Sequence, residues 1–509
     1  MKNKSNIKEF IIKNKVNIFT LIGMIFYTFI ICFNFIVPHF SNDAYYISSY
    51  GYDYYIEQFL ASNRMFSALI LKIFSILDIS FETERLIMGI VVTFIMAISW
   101  FVLYKFVIKL IKKENSIMHN ILIGAAAFLV VFNMCTAEGL LFIEVGTMPF
   151  GILFAILGAC VLATNRKYRY IISLILVTIS GLFYQVTSSI FVLLALVLIA
   201  IKNKGNIKLI VKDTIIIGLI YGFAMIVNIL GVKIWIKILE NRSSGAEYLV
   251  RKFEIPTISV IIDTILKYGE IILIYNVRIG PKYWYLTTLI IISIIFIINK
   301  ILKKKDYFEI LEYITLVVLS IIIPIIPILA TPVDSQYIEP RMAMCFGSII
   351  GILVIFLLSV VDMDKNKILL LFIGILTILN FIGNSIFLVV ASSSTLVANN
   401  MDKLIAQQII KEIDEYEKST GNEIAAIGVA NDQNYTMYYN GQPSLRCFNV
   451  RGFGTSWAVK EIIATYSGKE YKNVTVPEEV SNEFLSRDWD NYDEEQLVFD
   501  GENLYICVY

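Results

Sequence analysis

Residues 16–38 read VNIFTLIGMIFYTFIICFNFIVP, an uncharged run that follows Lys2, Lys4, Lys8, Lys13 and Lys15. A helix rising about 1.5 Å per residue needs roughly 20 apolar residues to cross the hydrocarbon of a bilayer, and this run is long enough. It exceeds the roughly 7–15 residues of a signal-peptide core, and no small-residue cleavage site follows it. The stretch therefore predicts a first membrane anchor.

Comparable runs lie near 86–110, 118–135, 147–164, 170–184, 188–201, 213–235, 283–300, 308–330, 342–361 and 368–391, which predicts about eleven crossings. Hydrophobic residues make up 57% of the chain and charged residues 17%, with a mean hydropathy of +0.71. A soluble fold of that composition would leave large apolar surfaces in water, which excludes a cytosolic enzyme. The net charge of +1 offers no basic surface for nucleic acid, because the charges are sorted by location. Short loops rich in Lys and Arg stay cytoplasmic. If the spans alternate, Lys105/Lys109/Lys112/Lys113, Arg166/Lys167/Arg169, Lys202/Lys204/Lys208, Lys300/Lys303/Lys304/Lys305 and Lys365/Lys367 all fall on one side, with the N-terminal lysines. The opposite segments 135–147 and 185–189 carry no Lys or Arg. The expectation is a polytopic α-helical membrane protein with its N-terminus in the cytoplasm and its C-terminal region outside.

Three outward segments are longer than turns: 38–85, 236–282 and the tail from about 395. Within them Tyr52–Leu60, Arg64–Leu77 and Ile258–Ile274 are apolar but interrupted by charge, as suits helices lying in the interface. The tail has no spanning run. Met401, Leu404, Ile405, Ile409 and Ile413 recur at helical spacing until Gly421, Ile424–Val429 reads as a buried strand, and Leu497–Ile506 contains the Asp500-Gly501 signal of a tight hairpin. The predicted division is a transmembrane domain over 1–394 and an extracytoplasmic α/β domain over 395–509. The six cysteines show no CxxC or metal-type spacing; a Cys447–Cys507 bridge in the tail and simple packing of two thiols both stay open. No Gly-rich phosphate loop stands at a strand-to-helix junction, which argues against a nucleotide-driven pump.

Chemistry is expected at the outer mouths of the spans. Asp43, in the string Pro38-His39-Phe40-Ser41-Asn42-Asp43-Ala44-Tyr45-Tyr46, stands where the first span ends. A part-shielded carboxylate there can serve as a general base on a hydroxyl; Ser-Asn-Asp is equally an ordinary helix-capping string. Glu138 and Glu144 lie in a segment so apolar that burying them without purpose would be costly, and each reads either as a second acid or as a solvated loop charge. Tyr184 and Gln185 interrupt an apolar run at its outward end, as groups for sugar hydroxyls or as part of an interfacial aromatic belt. His39 invites a metal site, yet the other histidine, His119, falls on the inner side, so a His-rich site is not expected.

Three patches carry a resemblance to a known family: Ser41-Asn42-Asp43 followed by Asn63-Arg64 at the head of an apolar helix, Gly181-Leu182-Phe183-Tyr184-Gln185, and the course of the tail around Arg451–Ala458. On these the chain resembles the Gtr type-II serotype-converting glucosyltransferases, polytopic bacterial enzymes with a GT-C-like architecture. Two positions depart from the family pattern. Ala44 stands where members have a second acidic residue, which weakens a paired-carboxylate metal site, and Asn63 stands where they tend to have glycine. The resemblance implies a polyprenyl-phosphate-linked sugar donor, glucose above all, an extracytoplasmic glycan acceptor, inversion at the anomeric carbon, Asp43 as base, and a bacterial plasma-membrane location. No cofactor is required by it, and a divalent cation stays open.

A phosphate leaving group needs positive charge more than a proton donor, and Arg can hold it in two-pronged fashion. The candidates are Arg64, Arg341, Arg278 and Lys282; Arg at a membrane edge also snorkels to headgroups. Two other classes stay open. A transporter or flippase of lipid-linked saccharides would want polar groups deep in its spans, whereas here they gather at the mouths. A glycan polymerase or ligase would use the same outer loops.

Overall fold

The computed structural model describes residues 14–111, 117–142, 147–240, 256–274, 284–302, 307–329, 339–361, 366–433, 438–439, 447–489 and 492–508. The chain is mostly helical and divides into two compact units. The first comprises Met1–Phe33, Glu57–Ile70 and Met88–Val389; the second gathers Asn34–Ile56, Leu71–Ile87 and Val390–Tyr509.

Among the described residues, six helices are long and apolar enough to cross a membrane: Phe81–Ile111, Gln185–Lys202, Ile207–Leu239, Trp284–Ile301, Pro340–Val360 and Lys367–Thr420. A bent pair, Ile117–Val131 with Met134–Leu141, makes a seventh if it is one span. Shorter apolar helices cover Lys15–Ile31, Met65–Ile76, Met148–Leu162 and Arg169–Phe183. The predicted count of eleven treats every apolar run as one straight crossing, and length alone does not grant that to the shorter ones.

Burial sorts the first unit. The apolar window of Pro340–Val360 is 94% enclosed by protein and that of Ile207–Leu239 only 28%. On the latter, Ile215, Leu219, Phe223, Ile226, Leu230 and Ile234 recur at three- and four-residue spacing, each more than half exposed, a stripe suited to acyl chains. The central helix packs so tightly on its neighbour that a Cβ at Gly351 would stand 2.4 Å from the Ala126 carbonyl oxygen. Small residues permit such close backbone approach where no water drives helices together.

The bend after Val131 has a local cause. Asn133 is extended (φ −145°, ψ 171°), and its side chain accepts from the Cys135 and Thr136 amides at 3.0 and 3.1 Å. Thr136 Oγ1 accepts in return from the Asn133 amide at 3.0 Å, a reciprocal capping box that starts a new helix inside the apolar interior. The axis turns by 57°, and every residue of Met134–Leu141 is buried. This segment was expected to begin an outward loop; it is a buried helix set at an angle to the one before it.

In the second unit, strands β1 (Ala426–Asn431), β2 (Lys472–Asn473), β3 (Leu497–Asp500) and β4 (Asn503–Val508) form one sheet in the order β2-β1-β4-β3. β1 runs parallel to β2 and β4, and β3 pairs antiparallel with β4 through a turn in which Gly501 takes φ +58°. Its core brings Ile405, Ile409 and Ile413 of the long helix Lys367–Thr420 against Ile427, Leu504, Ile506 and Val508, with Ala458, Val459, Ile462 and Ile463 of the helix Ser456–Ser467. Met401 and Leu404, read as part of the same buried stripe, lie on the outer face. Cys507 is buried and both it and Cys447 are thiols.

Candidate active site

Asp43 lies in the second unit. Ser41 caps the helix Asn42–Ala61, its Oγ and carbonyl oxygen accepting from the Ala44 amide at 3.1 and 3.0 Å. Asp43 is half-buried in the first turn, where a carboxylate is favoured by the unpaired amides of a helix N-terminus. The neighbouring Asn42 donates Nδ2 to Thr455 Oγ1 at 2.9 Å, so the tail shapes the surroundings of this turn. Tyr46, one helical turn on, donates its hydroxyl to the Trp457 carbonyl oxygen at 3.1 Å. Burial pushes the Tyr46 pKa up to about 12, with the Glu461 carboxylate, Tyr50, Tyr54 and Asp43 adding to the rise. His39 is buried, its Nδ1 donating to the Val37 carbonyl at 2.9 Å. Among the described residues no group of three or more His, Cys, Asp or Glu is placed to hold a metal ion.

The first unit assembles four of the predicted residues. Asn63 adopts φ +53°, a left-handed conformation that Asn tolerates and glycine takes without strain. The departure from the family's glycine is thus conformationally conservative. Its side chain seats on Gly231, where any Cβ would stand 2.3 Å away, and donates to Asn228 Oδ1 and the Asn228 carbonyl at 3.3 Å. That turn presents Arg64, whose guanidinium lies 4.7 Å from the centre of the Tyr184 ring. Tyr184 is extended (φ −158°, ψ 119°) and breaks the path between the helices Arg169–Phe183 and Ser188–Lys202. Its hydroxyl donates to Met342 Sδ at 3.6 Å, and Gln185 Nε2 donates to the Ser62 carbonyl oxygen.

Met342 adjoins Arg341 in the short 3-10 turn Pro340–Ala343. Both the backbone N–H and Nη1 of Arg341 donate to Glu138 Oε2, at 3.2 and 3.0 Å, and the guanidinium covers the Phe142 ring at 4.8 Å. Glu138 is fully buried and the Arg341 side chain 18% exposed. Glu138, read with some preference as a solvated loop charge, is therefore an interior anion that fixes Arg341. Its position follows from the Asn133 cap: Asn133 packs on Gly347, where a Cβ would stand 2.3 Å from Asn133 Oδ1, so the helix that Asn133 starts lies close against Met344–Gly347, the short helix that follows the Arg341 turn. The sequence signal was an acid in an apolar run; the missing information was the bend. Glu144, Arg278 and Lys282 lie outside the described residues.

Two guanidiniums, one oriented by a buried carboxylate and one by an aromatic face, are a pair of multi-donor cations at an apolar site. Five N–H donors let a guanidinium hold a carboxylate and a phosphate together. Arg64, Tyr184, Gln185 and Arg341 are thus gathered through neighbouring residues, while Asp43 belongs to the other unit.

No curated protein and no solved structure matches the chain. A family model described as glucosyl transferase GtrII matches residues 37–352, a stretch that holds Asp43, Arg64, Glu138, Tyr184, Gln185 and Arg341. Glucosyl transfer is the activity this match supports, and the apolar helices agree with membrane association. Since the match covers more than half of the sequence, the chain belongs to the glucosyl transferase GtrII family.

Proposed function

We propose that the protein transfers glucose, with inversion, from a polyprenyl-phosphate donor to a glycan on the outer side of a bacterial plasma membrane. The observation that carries this reading is the run of contacts from Arg64 through Tyr184 and Met342 to Arg341, which the buried Glu138 holds, set among apolar helices. A donor of this kind keeps its isoprenoid in the bilayer and its phosphate at the boundary, where cations held by an apolar scaffold can meet it. Arg64 and Arg341 bind the phosphate, with Arg278 and Lys282 as further candidates, and Glu138 positions Arg341. Tyr184, Gln185 and Glu144 address sugar hydroxyls.

Asp43 takes the proton from the acceptor hydroxyl as its oxygen attacks the anomeric carbon. The bond from that carbon to the phosphate oxygen breaks, and polyprenyl phosphate leaves as an anion. One displacement inverts the centre. In this reading the chain crosses the membrane several times from a cytoplasmic N-terminus; residues 1–394 perform transfer and residues 395–509 grip the acceptor outside.

The test is transfer of radiolabelled glucose from polyprenyl-phosphate-glucose to endogenous glycan, in membranes carrying matched amounts of wild type or Asp43→Asn. The substitution keeps size and removes the base. Wild type is expected to transfer and the variant to lose about a hundredfold or more, the scale of general-base catalysis. Full transfer by Asp43→Asn would return Asp43 to a helix-capping role.

A further inference from the structure

The second unit carries an aromatic surface that the transfer chemistry does not use. Tyr46, Tyr50 and Tyr54 follow one another along the helix Asn42–Ala61, which Gly51 interrupts with φ +77°. Their ring centres lie 5.6, 5.4 and 6.3 Å apart, the corners of a nearly equilateral triangle, and their planes differ by 25°, 34° and 21°. Near-parallel rings at such corners cannot form a face-to-face column; they are offset sideways. Trp457 extends the group from Tyr46, 5.5 Å between centres. Tyr50, Tyr54 and Trp457 are 48%, 37% and 48% exposed. Four aromatic residues in mutual contact, three of them exposed, are a large apolar surface to leave bare.

Behind the rings lies a buried ion pair. Lys460 Nζ meets Glu461 Oε1 at 2.7 Å, and both side chains are more than nine-tenths buried. The Tyr50 hydroxyl donates to Glu461 Oε1 at 3.1 Å and accepts from Lys460 Nζ at 3.0 Å, while Lys460 also donates to the Tyr471 carbonyl at 3.2 Å. Burial presses the Lys460 pKa down, but the bonds to Glu461 and Tyr50 and their charge outweigh it and hold the ammonium charged. The Tyr50 hydroxyl is therefore turned inward and fixed, and that of Tyr46 is held by the Trp457 carbonyl. In a membrane-interface belt the ring enters the lipid and the hydroxyl reaches for water; here that polarity is reversed. Asp43, one turn before Tyr46, makes the adjoining edge acidic, which repels anionic headgroups and accepts hydrogen bonds from neutral hydroxyls.

We propose that Tyr46, Tyr50, Tyr54 and Trp457 form a stacking subsite for neutral pyranose rings of the acceptor glycan. The C–H faces of a pyranose lie against aromatic rings, and its equatorial hydroxyls reach the polar rim. This assignment rests on the transfer reading for the identity of its ligand as acceptor.

Full-length protein in nanodiscs is titrated calorimetrically, without donor, with the polysaccharide released from the envelope of the bacterium that makes it. Trp457→Ala and Tyr54→Ala should weaken binding about tenfold, the equivalent of roughly 1.4 kcal/mol, and Trp457→Phe should keep most of it. Thermal melting in the same nanodiscs identifies any variant that has failed to fold, and whichever of Trp457→Ala and Tyr54→Ala keeps the wild-type melt carries the comparison. Absence of binding by wild type, or equal binding by the alanine variants, overturns the subsite. So does quenching by brominated lipid that is lost on Trp457→Phe, which would place the platform in the membrane. Glycan binding without glucose transfer would instead sink the transfer reading and leave the subsite standing.

Discussion

Arg341 and Glu138 show what one buried carboxylate does in an apolar site. The Glu138 Oε2 atom receives both the backbone and the side-chain N–H of Arg341, so the guanidinium is aimed as well as neutralised. Removing one partner of a buried pair leaves a charge without its counter-charge, at about 3–5 kcal/mol, whereas replacing both with residues of similar shape is often close to neutral. Glu138→Ala is thus expected to lower the melting temperature and abolish transfer. The double variant Glu138→Gln, Arg341→Met should recover much of the melting temperature while transfer stays lost, because one of the two guanidiniums proposed to hold the phosphate is gone. Recovery of transfer with the fold would reduce the pair to a structural role. Arg341, Arg64, Tyr184 and Gln185 were legible as polar residues at the ends of apolar runs. Glu138 was not, because its burial depends on Asn133 turning the chain inward, and an Asn within an apolar run gives the same local pattern whether it caps a helix or ends in water.

The helix Lys367–Thr420 is one element with two environments. Its apolar first part belongs to the first unit, and from Val390 onward it enters the core of the second. Asp402 stands on the latter part, beyond the apolar stretch, and is buried. Its carboxylate accepts from the Gly452 amide at 3.0 and 2.9 Å, from the Phe453 amide at 3.3 Å and from the Tyr439 hydroxyl at 2.9 Å. Burial nevertheless raises its pKa from 3.8 to about 6, against the pull of those bonds and of Arg451. Since the folded value lies above the unfolded one, the folded state keeps a proton across that interval that the unfolded state has released. Stability of this unit should fall as pH rises from 3.8 to about 6 and stay level above, by roughly 2–3 kcal/mol in all. Hydrogen exchange of the β1 and β4 amides, corrected for the intrinsic rate, measures it; Asp402→Asn should flatten the profile. An unchanged slope in the variant would assign the pH dependence elsewhere. The sequence pattern located this helix, its stop before Gly421, and the strands after it, because period and turn chemistry are local. It could not show that Asp402 meets Gly452, since nothing local links them.

At the scale of the molecule, the largest difference between what sequence shows and what the fold does is where the second unit begins. The proposed boundary at 395 marks a change of composition, from spans to an acidic tail. The compact unit also takes in Asn34–Ile56 and Leu71–Ile87, which a reading of local patterns assigns to the first outward loop. Tyr45 is fully buried in the same apolar core as Ile409, Phe453 and Ile462, and Phe40 stacks on it at 4.8 Å between ring centres. The Asn399 side chain brackets Phe40, donating to its carbonyl oxygen at 2.7 Å and accepting from its amide. A fragment of 395–509 alone would face water where Tyr45 and Phe40 sit. Loss of a large buried aromatic costs roughly 3–5 kcal/mol, a large share of the stability of a small domain. The fragment is therefore expected to melt at low temperature without a sharp transition and to bind a hydrophobic dye. Joining residues 34–56 to it through a flexible linker should restore a cooperative melt, and the same fusion carrying Tyr45→Ala should not. A sharp, unaltered melt of 395–509 by itself would make the compositional boundary the true domain edge, with the N-terminal segment an appendage. If the fusion is required, Asp43 and the aromatic surface of Tyr46, Tyr50, Tyr54 and Trp457 fold as one piece, which is what the proposed base and the proposed acceptor subsite need.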